Sequence, residues 1–215
     1  MSDWRMQTNI IRENTEDKNV MTQFLQGRGH ILGSVLAASG AREVNSTDDP
    51  SKLSIRDWAL VEPNINRSAG KNMVKKSAQT PLERLIAFTT TPAEPAEMLF
   101  KLARASGLSC APYSGLDTCK IASRVSNGQT VYLETWEHTF THGRGSGKFV
   151  CRPGDSGSLV FNKDKKVVGL FFGGSDTQDV GYFTSTRDLF DDIKRSIGVT
   201  KIRLLGDQGE GEYTP

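Results

Sequence analysis

The chain is poor in the residues that would place it in several large protein classes. Only three cysteines occur in 215 residues, Cys110, Cys119 and Cys151. An odd number without framework spacing argues against a disulfide-stapled secreted fold and for a reducing compartment, although Cys110 and Cys119 are close enough to meet across a hairpin. No apolar run is long enough to cross a bilayer, and Met1 to Glu13 lacks the apolar core of a secretory leader. The expected location is therefore intracellular, in cytoplasm or nucleus. Neither sign of charge is in excess: the net charge is +2, too small to argue for nucleic acid or a membrane surface as partner. The one basic cluster, Lys71, Lys75 and Lys76, reads as a solvated loop face. Histidine is equally scarce, with three residues. His138 and His142 share a strand face at their i,i+4 spacing, but Glu137 points the other way and no third ligand completes a metal set. No metal and no cofactor are expected. No internal repeat is visible, and nothing sets an oligomeric state.

What is present suffices for a core: 36% of residues are hydrophobic, enough for one large domain or two small ones sharing a cleft. Residues 14–26 carry apolar Val20, Met21, Phe24 and Leu25 at helical spacing, with Asn14 or Thr15 as cap and Gly27 as stop. Strand-like stretches follow at His30–Ala38, Arg42–Val44, Asp57–Glu62 and Leu85–Thr90. Residues 63–97, with Pro63, Gly70, Pro81, Pro92 and Pro95, read as a linker and crossover. Seven further stretches are dense in apolar residues: Leu99–Ala103, Ser109–Tyr113, Thr118–Ser123, Thr130–Phe140, a strand through Ser156 to Phe161, Lys166–Phe172 and Gly181–Thr184. A helix opens at Ser185 or Thr186, with Asp188 in its first turn, apolar Leu189, Phe190, Ile193 and Ile197, and Gly198 as its end. Leu205 to Pro215 is Gly- and Glu-rich, the composition of a disordered tail. The implied division is 1–29 helical, 30–97 a first β region with crossover, 98–204 a second β region with the closing helix, and 205–215 the tail.

The octet Pro153-Gly154-Asp155-Ser156-Gly157-Ser158-Leu159-Val160 carries the chemistry. Gly154 permits a backbone turn that a Cβ would obstruct, so its N–H and that of Ser156 can point at one spot. Two such donors stabilise negative charge that develops only in a transition state. Gly157 leaves room for a substrate backbone beside the hydroxyl. By itself the octet also fits an ordinary Gly-Asp-Ser-Gly turn in a β protein.

The order of serine, hairpin, glycine-ended strand, Gly181-Tyr182 strand and closing helix resembles the end of a chymotrypsin-like (PA-clan) serine peptidase of intracellular type. The resemblance is specific over Val150 to Ile197, thinner over Ile31 to Ser123 and absent from Met1 to Gly29. It implies an all-β, chymotrypsin-like double β-barrel with a C-terminal helix, the first barrel being short of strands. It implies Ser156 as nucleophile, the N–H groups of Gly154 and Ser156 as oxyanion hole, and Asp57, opening the segment Ile55 to Glu62, as the acid. The clan's order of His, Asp, Ser sets aside His138 and His142. The base is then His30 or a histidine upstream of Met1. Val150 falls at the position of the pocket floor, followed by Cys151, with Phe172, Gly173 and Gly174 on the wall. No carboxylate waits there for Lys or Arg, so the implied preference is an apolar P1 residue in a polypeptide substrate. No Ile-Val-Gly-Gly start is present to pair with Asp155, which must then be held by other polar groups. Two functions follow: an intracellular serine endopeptidase, or a peptidase-like binding module or fragment without the histidine.

Overall fold

The computed structural model describes residues 15–28, 31–64, 72–74, 81, 83–143, 150–175 and 179–202. Asn14, His30, the cluster at Lys71, Lys75 and Lys76, and the tail 205–215 lie outside these residues. Among them, α1 spans residues 15–26. It is followed by β1 (Gly33–Ala38), β2 (Arg42–Asn45), β3 (Leu53–Arg56), β4 (Ala59–Pro63), β5 (Met73–Val74), β6 (Glu83–Arg84) and β7 (Ala87–Phe88). Then come β8 (Met98–Ala103), β9 (Gly107–Pro112), β10 (Thr118–Ser126), β11 (Gln129–Thr141), β12 (Leu159–Asn162), β13 (Lys166–Ser175), β14 (Val180–Ser185) and α2 (Thr186–Ile197).

All seven expected stretches of the second half are strands, and they form one sheet in the order β10-β11-β14-β13-β12-β8-β9, with β7 joining β13 in parallel. The sheet curls until β9 meets β11, where Tyr113 bridges Phe140 and the Ser114 N–H donates to Thr139 O at 2.9 Å. The contact is that single bridge and not a continuous ladder, so no barrel is closed there. Alternation explains the core: Leu99, Val160, Phe140 and Phe171 are almost fully buried on the inner face, as half-buried strands require. The strand expected through Ser156 begins only at Leu159, and Ser156 sits in the turn before it.

The strands before residue 98 form three two-stranded pairs among the described residues, β1–β4, β2–β3 and β5–β6. They close no barrel there. β3 was not among the expected strands, because Leu53-Ser54-Ile55-Arg56 is too short to show a period. β4 starts at Ala59, so Asp57 and Trp58 precede it instead of opening it.

Contacts group residues 1–36 with 61–68, and 37–60 with 69–215. In the smaller unit the Asn64 N–H donates to Leu32 O at 3.0 Å, and the apolar positions Val20, Met21, Phe24 and Leu25 of α1 are exposed. In the larger unit β3 lies against the sheet: the Ile55 N–H donates to the Glu137 carboxylate at 3.1 Å, and Ile55 O accepts from the Thr184 hydroxyl at 3.2 Å. Side chains thus satisfy an edge that no strand pairs. Helix α2 has the expected ends. Ser185 caps it by accepting from the Asp188 N–H, and Gly198, at φ 72°, donates back to Lys194 O. No helix among the described residues is long and apolar enough to cross a membrane.

Candidate active site

The loop from Val150 to Ser158 is built around one buried carboxylate. Asp155 is 1% exposed. Its Oδ2 accepts from Lys101 Nζ at 2.8 Å and from the Arg152 N–H at 2.9 Å, and its Oδ1 from the N–H groups of Ala105 and Ser106 at 3.1 and 3.0 Å. Lys101 is wholly buried in β8, donates also to Ser106 Oγ at 2.9 Å, and lies 4.8 Å from the centre of the Phe171 ring. Burial alone would raise the Asp155 carboxyl. The Lys101 ammonium and the hydrogen bonds from Ser106 and Arg152 reverse this and hold it well below the usual carboxylate range.

Around this anchor the backbone donors can be accounted for. The Asp155 N–H goes to Arg152 O, that of Gly157 to Phe171 O and that of Ser158 to Asp155 O. The N–H groups of Gly154 and Ser156 have no acceptor among the described residues. Gly154 holds φ +96°, where any other residue would be strained. The Ser156 side chain is exposed at the surface and donates to Phe172 O at 3.0 Å.

Beside the hydroxyl opens a cavity of about 250 Å³ lined by Cys151, Arg152, Pro153, Ser156, Phe171, Gly173 and Gly174. Gly174 is required by close packing, since a Cβ there would come within 2.4 Å of both Cys151 Sγ and Val180 O. Val150 is buried in the core, its N–H donating to Asp179 Oδ1 at 2.8 Å, and is not among the residues lining the cavity. Phe172 contributes its carbonyl and turns its ring onto Tyr182, at 6.3 Å between centroids.

Residues 129–185, the strands on either side of this loop and the loop itself, match the family Peptidase S7, Flavivirus NS3 serine protease. Over those residues the chain is similar to chymotrypsin-like serine peptidases. No curated protein matches the chain. Similar solved structures include the Cellulomonas bogoriensis chymotrypsin, at 16% identity and TM-score 0.44, over 78% of this chain and 87% of that one. The Nocardiopsis protease NAPase gives 16% and 0.45 over 74% and 77%, and Thermobifida fusca protease A 12% and 0.44 over 75% and 87%. At such values they decide nothing about chemistry.

Asp57 is exposed, between β3 and β4, and its carboxylate has no hydrogen bond or ion pair among the described residues. It is not among the residues lining the cavity. Its two neighbours are firmly held. Arg56 pairs with Asp188 at 3.1 Å, both side chains buried. The Trp58 indole N–H donates to Asp192 Oδ2 and its backbone N–H to Ser39 Oγ, each at 2.8 Å. His30 lies outside the described residues. His138 is engaged elsewhere, its Nδ1 2.9 Å from the Tyr113 hydroxyl and 3.6 Å from Asp117, its ring stacked on Phe183. Burial, with Asp117 and Asp48, pushes the Tyr113 phenol up to about 12, so it stays protonated and can donate to that nitrogen. No group of three His, Cys, Asp or Glu among the described residues is arranged to hold a metal ion.

Lys101 was missed by sequence reading, which required only that Asp155 find polar partners. The signal was a lone lysine in Leu99-Phe100-Lys101-Leu102-Ala103, on the same strand face as buried Leu99.

Proposed function

We propose that the chain is an intracellular serine endopeptidase that cuts polypeptides after an apolar residue. One observation carries the reading. Asp155 is fixed from within by Lys101, and the loop it anchors leaves the N–H groups of Gly154 and Ser156 uncommitted beside the cavity. Donors held in place before reaction stabilise an oxyanion without reorganisation. The internal Lys101 means that no newly cut N-terminus is needed to hold the loop.

In this reading the P1 side chain enters the cavity between Cys151 and the Gly173–Gly174 wall, which offers no carboxylate to a basic residue. The Ser156 hydroxyl leaves Phe172 O and attacks the substrate carbonyl carbon while its proton passes to an imidazole. Chain order leaves His30, or a histidine upstream of Met1, as that base, and Asp57 orients it and stabilises the imidazolium. The oxyanion takes the two N–H bonds. Collapse of the adduct expels the amine, which accepts the proton from the imidazolium, and water repeats the sequence on the acyl-enzyme.

A second reading, a peptide-binding module without catalysis, is favoured by the Ser156 hydrogen bond itself. A carbonyl oxygen cannot take the hydroxyl's proton, and an unassisted serine is a weak nucleophile. A fluorogenic tetrapeptide library separates the two. Cleavage after Leu, Phe, Val or Ala that is lost in Ser156→Ala supports the peptidase. Cleavage mainly after Arg or Lys overturns the pocket assignment, and none at all favours the binding module.

A further inference from the structure

The residue that accepts the Ser156 hydrogen bond also carries the ring on which an unmatched cation rests. Phe172 offers its carbonyl to the nucleophile, while its ring stacks on Tyr182 with 23° between planes. Lys120 of β10 places its ammonium 4.5 Å from the Tyr182 ring centre and 5.5 Å from that of Phe172. Cys151, which lines the cavity, donates its thiol to Val180 O at 3.6 Å, two residues before Tyr182 on β14. The two rings therefore join the nucleophile, the cavity wall and Lys120 in one contiguous patch.

Three lysines of the larger unit reach carboxylates: Lys52 pairs with Asp117, Lys101 with Asp155 and Lys165 with Glu83. Lys120 has no hydrogen bond and no ion pair among the described residues. Its opposite neighbour in the ladder is Thr135. The acid whose titration it influences, Glu137, spends its carboxylate on the Ile55 N–H, and burial pushes its pKa up. Two ring faces thus hold a half-buried ammonium in place without neutralising it. A group restrained in this way loses little further freedom when a carboxylate arrives.

We propose that Lys120 selects substrates bearing Asp or Glu on the acyl side of the bond that is cut, two to four residues before it. This rests on the peptidase reading of the same site. With the P1 side chain in the cavity and the reacting carbonyl at Ser156, a substrate whose preceding residues run along Phe172 meets the ammonium.

The test uses quenched peptides with Leu at P1 that differ only by Glu or Gln at the second, third or fourth residue before the cut. At one position Glu should raise kcat/KM by about two- to fivefold, the range of a partly exposed ion pair, and added salt should shrink the gain. The Glu/Gln ratio should fall to about one in Lys120→Met, persist in Lys120→Arg and invert in Lys120→Glu. Equal rates in the unmodified chain, or a preference that survives Lys120→Met, overturn the assignment and leave the peptidase reading standing. If no peptide is cut and Ser156 takes no fluorophosphonate, the peptidase reading fails on its own. The same peptides are then compared as ligands of Ser156→Ala by titration calorimetry, where equal affinity for Glu and Gln overturns the role of Lys120 as well.

Discussion

Lys101 keeps its ammonium fully buried in an apolar strand, a placement that costs several kcal/mol unless a counter-charge and hydrogen bonds match it. Asp155 supplies the match, so removing one member strands the other. Lys101→Met should lower stability by about 3–5 kcal/mol, seen as a fall in the urea midpoint. A loss within about 0.5 kcal/mol, the range of an ordinary surface change, would contradict the pairing. The depressed Asp155 carboxyl contributes stability that is present above its ordinary value of 3.8 and lost as pH falls from there toward its lower folded value. Glu137 has the opposite sign. Burial raises it above 4.5, so its contribution is intact below that value and lost as pH rises through the folded pKa. Glu137→Gln, which keeps an acceptor for the Ile55 N–H, should therefore raise Tm at pH 7–8 relative to the parent and give no gain at pH 4. Thermal melts across that range check it. The glycines of the cavity wall separate packing from function. A Cβ at Gly173 meets nothing within 4 Å, whereas one at Gly174 collides with Cys151 and Val180. Gly173→Val should leave Tm unchanged and cut kcat/KM for Leu or Phe at P1 by at least about tenfold, since a filled pocket forfeits the side chain's burial.

The β2–β3 hairpin and the segment around Asp57 are fastened both to the sheet, through Ile55, and to α2, through Arg42, Arg56 and Trp58. Trp58 packs with Leu189, Phe190 and Ile193, and Asp192 takes both the Trp58 indole N–H and the Arg42 guanidinium at 2.8 Å. Asp192→Ala leaves that buried N–H without an acceptor. It should cost about 1–3 kcal/mol, measured by chemical unfolding, and Asp192→Asn should recover part of it. The ends of α2 were legible because capping is local chemistry: Ser185, Asp188 and Gly198 each act within a few residues. β3 was not, because its four residues are held as a strand by Glu137 and Thr184, which are remote in sequence. The stretch Asp57–Glu62 looked like one strand by alternation. The tertiary contacts of Trp58 instead keep Asp57 and Trp58 ahead of it.

At the scale of the whole molecule, the second half was readable in order, from β8 to α2. β8, β9 and much of β11 alternate, β12 to β14 read as short runs buried on successive residues, and the glycine loop before β12 has few conformations open to it. Legibility fell where contacts become non-local. The sequence shows that Asp155 needs partners, but only the fold brings Lys101, Ala105, Ser106 and Arg152 to it. Strand pairing before residue 98 likewise depends on partners that no short pattern specifies. Residues 37–60 accordingly group with the serine loop and not with the chain on either side of them. The account's central claim, a serine poised for acyl transfer with its base in this chain, is tested most directly by fluorophosphonate labelling read by intact mass. The parent should take one label, Ser156→Ala none, and His30→Ala and Asp57→Asn far less in the same time. A folded parent that takes no label, or labelling indifferent to His30→Ala, would contradict it.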